Sequence, residues 1–286
     1  MIAPEGLTLN KVISEDTTGL LIAATQVRLR RAVTLKILKK EFVSNERALE
    51  LFRAEREVAA SIDDPRLLLT LDVGETNGRP WFVTETMLEP TLRDTLAEPG
   101  ELGELRAVRI ALGIAQAVHY LSTRGLIYKN VCPKNILLPQ PAAAKLVTFR
   151  HVRRMDEAHS FQGANAQSGL YCAPELTRDD LGEVTTKSNV YAVGAILYEL
   201  LACQPVCDGN SADARAAHAA GTTPSLKEIR PFLRDRAYAV VGCLTAHDPQ
   251  QRADSAASVA LLEAYSNDPL VATPLRAAKK RRRRRR

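Results

Sequence analysis

Three stretches of this 286-residue chain set polar side chains among apolar neighbours. Lys36 ends Val33-Thr34-Leu35-Lys36 inside a β-prone run. Tyr128-Lys129-Asn130-Val131-Cys132-Pro133-Lys134-Asn135 mixes cations and amides with apolar residues, and Thr148-Phe149-Arg150 closes a third such run. The chemistry open to these types is narrow. A lysine is a compact positive charge. An amide exchanges hydrogen bonds but takes no proton near neutral pH, and a threonine hydroxyl is a neutral oxygen where Mg²⁺ prefers charged ones. Taken singly, Lys36 reads as an edge-strand lysine and Glu55 as a solvated helix glutamate. His119, His218 and His247 have no companions at metal-ligand spacing and read as structural. The five cysteines form no Cys-x-x-Cys pair; Cys203 and Cys207, flanking Gln-Pro, read as small core residues.

These residues need elements to position them. Leu7–Ile13, Leu20–Ala24 and Ala32–Leu38 are short β-prone runs separated by turn-forming stretches. From Asn45 to Ile62, Ala48, Leu51, Phe52, Val58, Ala59 and Ile62 recur at helical spacing. A strand pair follows, Leu67–Val73 and Trp81–Thr86, joined by a turn over Glu75–Gly78. The remainder is mostly helical: Leu102–Thr123, Asn189–Leu201, Ala237–Ala246 and Ala253–Ser266 carry amphipathic or buried patterns, and a polar loop spans about 156–169. The reading is an α+β chain with a β-rich lobe over 1–87, a helical lobe over 88–266 and a disordered polybasic tail over 267–286.

In order and spacing, these segments resemble a bacterial-type serine/threonine protein kinase domain over about residues 7–265. The resemblance implies a two-lobed fold with a nucleotide cleft between the lobes. Lys36 falls where the family keeps its phosphate-pairing lysine and Glu55 where it keeps that lysine's partner. Gly19 is the survivor of the glycine-rich loop, whose first two glycines align with Ser14 and Asp16. Leu21, Thr34 and Leu137 fall at adenine-sandwiching positions, and Thr84 at the gatekeeper ahead of a Glu85–Met87 hinge. Ala173-Pro174-Glu175 matches the close of the activation segment, with Arg252 as the expected partner of Glu175. Asn189 stands where the central helix normally carries Asp, and Phe149 is expected to pack under the Glu55 helix.

The departures fall on the chemistry. Asn135, the second-metal ligand, is kept, but the catalytic base position is Asn130, the helper lysine is Cys132, and the Asp-Phe-Gly aspartate is Thr148. Asp16 would set a carboxylate beside nucleotide phosphates, repulsive unless the loop swings away. The resemblance therefore implies a pseudokinase, a regulator or scaffold acting on a protein partner. Lys36, Glu55 and the adenine positions favour ATP binding; Ser14, Asp16 and Thr148 oppose it, and Mg²⁺ has less support still. The alternatives are a weakly active ATP-dependent serine/threonine kinase, with a metal site rebuilt from Asp156 or Glu157, and a polyanion-binding adaptor. Ser160 and Ser168 are possible phosphate acceptors.

Composition sets the outer limits. Hydrophobic residues make up 45% of the chain, which excludes disorder throughout. The 39 basic and 33 acidic residues give a net charge of +6, yet residues 279–286 (KKRRRRRR) alone hold eight cations, so the body is slightly acidic. That tail suits an anionic membrane surface or nucleic acid, and lacks aromatics to stack bases. An odd cysteine count, no visible signal peptide and no spanning run point to the cytoplasm, with attachment at the inner membrane surface through the tail.

Overall fold

The structure, a computed structural model, describes residues 3–98, 100–140, 143–156, 166–177, 181, 183–207 and 211–271. Five strands, β1 (Leu7–Glu15), β2 (Gly19–Gln26), β3 (Arg31–Leu38), β4 (Thr70–Thr76) and β5 (Arg79–Thr84), form an antiparallel sheet in the order β1-β2-β3-β5-β4. Alternation along β3 decides where Lys36 goes. Val33, Leu35 and Ile37 turn to one face and pack with Ile22, Trp81 and Val83 in a small core of their own. Thr34, Lys36 and Leu38 are thereby sent to the other face. The β4–β5 hairpin turns on Asn77 and Gly78, with φ of +52° and +71°, the positive pair an Asn-Gly turn supplies cheaply. β4 starts three residues later than the apolar run suggests, because Leu67 and Leu68 are buried and the Leu68 N–H bonds the Leu146 carbonyl.

Helix α1 (Glu46–Ala60) begins where the Asn45 side chain accepts the Ala48 N–H at 3.0 Å. Its buried face is Ala48, Phe52, Glu55 and Ala59, spaced by three or four residues. The apolar stripe that docks the helix on the sheet therefore carries Glu55 inward.

The helical lobe comprises α2 (Leu92–Ala97), α3 (Glu104–Ser122), α4 (Thr186–Ala202), α5 (Ser211–Ala220), α6 (Leu226–Ile229), α7 (Asp235–Leu244) and α8 (Ser255–Ser266). Two small hairpin-like pairings sit beneath the sheet: β6 (Leu126–Tyr128) with β9 (Val152–Arg154), and β7 (Ile136–Gln140) with β8 (Ala143–Leu146). α4 is apolar on nearly all sides and buried from Ser188 to Ala202, so it forms the centre of the lobe rather than a membrane span. Among the described residues, no helix is long and apolar enough to cross a membrane. Gly194 of α4 allows α7 to approach: a Cβ there would lie 2.7 Å from Leu244 Cβ and Thr245 Cγ2, and 3.1 Å from Leu244 backbone. Gly194→Ala should cost about 1–3 kcal/mol by overpacking, read as a lower urea midpoint at unchanged slope; no change in midpoint would refute the close fit.

Several elements lack the expected sequence signals. α2 is short and held by a Thr91/Asp94 capping box. α5 is Ala-rich, and its buried positions are Ala214 and His218 instead of large aliphatics. Cys207 is buried as expected, but Cys203 is exposed. It is the α4 C-cap at φ +59°, so the chain turns away there and carries the thiol out. The chain stays packed past 266: Val271 is buried, and Asp268 pairs with Arg236 at 3.2 Å. The 279–286 run, Glu157, Ser160 and the Ser168 side chain lie outside the described residues.

Candidate functional site

Sheet and helical lobe enclose a cleft of about 860 Å³. Leu21, Thr34, Lys36, Glu55 and Thr84 line it from the sheet side, and Asn130, Asn135, Leu137 and Thr148 from the other. Nine of the ten residues singled out from sequence thus meet in one cavity. Gly19 is not among the lining residues; a Cβ added there would lie 3.1 Å from Lys36 Cε. Registers explain the grouping: Thr34 faces Thr84 across β3–β5, and Leu21 faces Lys36 across β2–β3.

Lys36 is the electrostatic centre. Its Nζ lies 2.6 and 2.8 Å from the two Glu55 oxygens and 3.1 Å from Asp16 Oδ2. An ammonium has three donors, and three carboxylate oxygens stand around this one. The other Asp16 oxygen accepts the Gly19 N–H at 2.7 Å and the Thr18 N–H at 2.9 Å, and lies 3.3 Å from Arg150. The loop between β1 and β2 has not swung away. It folds its carboxylate inward, where it meets the Lys36 ammonium and the Arg150 guanidinium. Burial alone would raise the Asp16 pKa, but the Lys36 charge and the two loop amides outweigh it and hold it at about 2.

The opposite wall is built from neutral groups. Asn135 Nδ2 donates to the Asn130 carbonyl at 3.0 Å, and Asn130 is buried with its Oδ1 unpartnered among the described residues. Thr148 sits at φ +71°, a strained region for a β-branched residue. Tyr128 holds that segment by donating to the Val147 carbonyl. Tyr128 is itself gripped by Asn189, whose amide donates to its carbonyl at 2.5 Å and accepts its N–H at 3.1 Å. Phe149 is buried in the main core, which also holds Phe52 of α1. Of the cleft's carboxylates, Asp16 and Glu55 are bound to Lys36, and none is contributed by the 130–151 wall. Asp156 is exposed, pairs with Arg154 at 3.4 Å and does not line the cleft.

Some site members had no sequence signal as a group. Arg150 reaches Asp16 across 134 residues of chain, and Glu89 lines the cleft with a buried Oε2 that has no partner among the described residues. Outside the cleft lining, in the helical lobe, Tyr171 donates to Glu199 at 2.6 Å and also meets Arg93, which pairs with Glu199 at 3.2 Å. None of these pairings is local, so spacing could not report them.

His151, also on the cleft wall, has its pKa lowered to about 4, first by burial and then by Arg150, Arg153 and Lys36. Burial likewise lowers that of His218, which touches Tyr191 at 2.6 Å. A histidine held neutral in the fold stabilises above the unfolded pKa of about 6.5 and loses that contribution as pH falls towards the folded value. Stability should therefore drop by about 2 kcal/mol for His151 alone between pH 7.5 and 5, measured as urea midpoints. His151→Gln should remove that part of the slope; an identical slope in the variant would contradict it.

Comparison with known proteins agrees with this geometry. A family model described as protein kinase domain matches residues 8–263. The chain is 30% identical over 273 residues to the serine/threonine-protein kinase PknL of Mycobacterium tuberculosis, covering 90% of this chain and 64% of that protein. It is 28% identical over 236 residues to PrkC of Bacillus subtilis, covering 82% of this chain and 36% of the relative. With PknB of Mycolicibacterium smegmatis the figures are 31% over 195 residues, 66% and 31%. The chain thus spans less than two thirds of the length of these relatives.

Proposed function

Since the chain belongs to the protein kinase domain family, with bacterial serine/threonine kinases as its relatives, we propose that it is a catalytically silent member that regulates or scaffolds through binding. One observation carries this reading: Asn130 and Thr148 both line the cleft, and no carboxylate stands on their wall. The family's reaction needs a base near the acceptor hydroxyl and charged oxygens on Mg²⁺. An amide, a hydroxyl and the Asn135 amide do not fit a divalent metal, and among the described residues no cluster of three or more His, Cys, Asp or Glu could hold one. The scaffold supports the reading from the other side. The Lys36–Glu55 and Glu175–Arg252 pairs are both formed, so the selective losses are those of chemistry rather than of folding. The test is phosphate transfer from ATP to a generic acceptor with Mg²⁺ or Mn²⁺, beside Lys36→Ala. Transfer at a rate typical of kinases that disappears in the variant would overturn the proposal.

A further inference from the structure

The end of the cleft at Lys36 has the parts of an anion cradle: one ammonium, one guanidinium and two loop N–H groups. All four already face the chain's own carboxylate, Asp16, at 2.7–3.3 Å. The site is polar and preorganised, yet it offers no open positive charge to a ligand. Lys36 and Arg150 together face two carboxylates, Asp16 and Glu55, so the cluster carries no net positive charge. Lys134, the other cation on the wall, is exposed and worth little to a ligand.

The rest of the cleft is unlike that end. Leu21, Leu137, Met87 and Val147 offer apolar surface suited to a flat ring, within a volume in the range of small-molecule sites. The Met87 N–H meets Thr34 Oγ1 at a long 3.3 Å and can share with a ring nitrogen. Glu89 Oε2, buried and without a partner among the described residues, lines the same cavity and needs a donor such as a hydroxyl.

We propose that Asp16 is a built-in anion that makes this cleft select an uncharged, nucleoside-sized ligand over its phosphorylated forms. The inference rests on the proposed loss of phosphoryl transfer, and deepens it by assigning the class of ligand. A phosphate arriving at Lys36 would have to displace a carboxylate held by two cations and two amides, or lie against it as a like charge. A nucleoside meets neither obstacle.

The test is calorimetric titration of adenosine, ADP and ATP in chelator, at one ionic strength, into the full chain and into Asp16→Asn. Asparagine keeps an acceptor for the Thr18 and Gly19 amides while removing the charge; Asp16→Ser is the second variant should the first fail to fold. The expected result is adenosine binding about tenfold or more tighter than ATP in the parent, the scale of one contacting like charge. In the variant ATP should gain about tenfold or more while adenosine changes little. The proposal is overturned if ATP outbinds adenosine in the parent, if the ratio is the same in both proteins, or if adenosine binds neither. Phosphate transfer by the same proteins with Mg²⁺ or Mn²⁺, beside Lys36→Ala, is a separate readout. Turnover dependent on Lys36 would overturn the silent-kinase reading, whereas the order of the ligands alone decides the role of Asp16.

Discussion

Given ATP with Mg²⁺ or Mn²⁺, the chain should phosphorylate a generic protein acceptor no faster than about 10⁻³ s⁻¹, against the ~1–100 s⁻¹ of active kinases. Lys36→Ala should leave that residual rate unchanged. Losing a general base costs about 10²–10⁴ in rate. Losing metal charge costs several kcal/mol, or about another 10³. The two losses do not simply add, which is why the expected ceiling is set above their product. On the proposed reading, Asn130 and Thr148, which line one wall of the cleft, supply neither function, and Asp16 withholds a third by occupying the Lys36 ammonium. Asn130→Asp with Thr148→Asp should consequently fall short of an active kinase while Asp16 remains, and adding Asp16→Gly should raise the rate further. A parent rate above about 10⁻¹ s⁻¹ that Lys36→Ala abolishes would sink this account, because that is the signature of an intact phosphoryl-transfer site.

Arg252→Met should destabilise the fold by about 3–5 kcal/mol, the cost of leaving a buried charge without its partner. Arg252 and Glu175 both have side chains 0% exposed. The guanidinium spends every donor: two bonds to Glu175 at 2.6 and 3.1 Å, and others to the carbonyls of Ala246, Lys187 and His247. Glu175 would keep only the Ser188 hydroxyl at 2.7 Å. The double variant Arg252→Met/Glu175→Gln should recover part of the loss, since the orphaned charge goes with it. Urea unfolding of the parent, single and double variants decides the matter. A single-variant loss below about 1 kcal/mol would place the pair with surface ion pairs instead. This pair joins the close of the activation segment to the turn before α8. The large loss would therefore show that this buried pair is a main tie of the helical lobe.

The periodicities carried much of the fold. The alternation of β3 sends Lys36 to the cleft face, the stripe of α1 carries Glu55 inward, and the largely apolar run from Val190, broken by Glu199, becomes the buried centre of the helical lobe. Where the pattern was weak, reading failed: the Ala-rich α5, the short α2 and the Cys203 cap have no long aliphatic repeat to announce them. The candidate site divides in the same way. That positions 130 and 148 carry an amide and a hydroxyl was legible because it is a property of the residue type alone. The destination of Asp16 was not, because a loop carboxylate can turn outward or inward.

What the amino-acid order determined alone is which groups are available: a lysine and a glutamate on adjoining elements, an amide and a hydroxyl where acids would be needed, and eight cations at one end. What tertiary structure decided is how the available charges pair. Asp16, Lys36, Glu55 and Arg150 come from a loop, a strand, a helix and a turn. Their pairing energies arise only once folding brings them within about 4 Å in a partly dry cleft, since Coulomb interaction depends on distance and surroundings and not on separation along the chain.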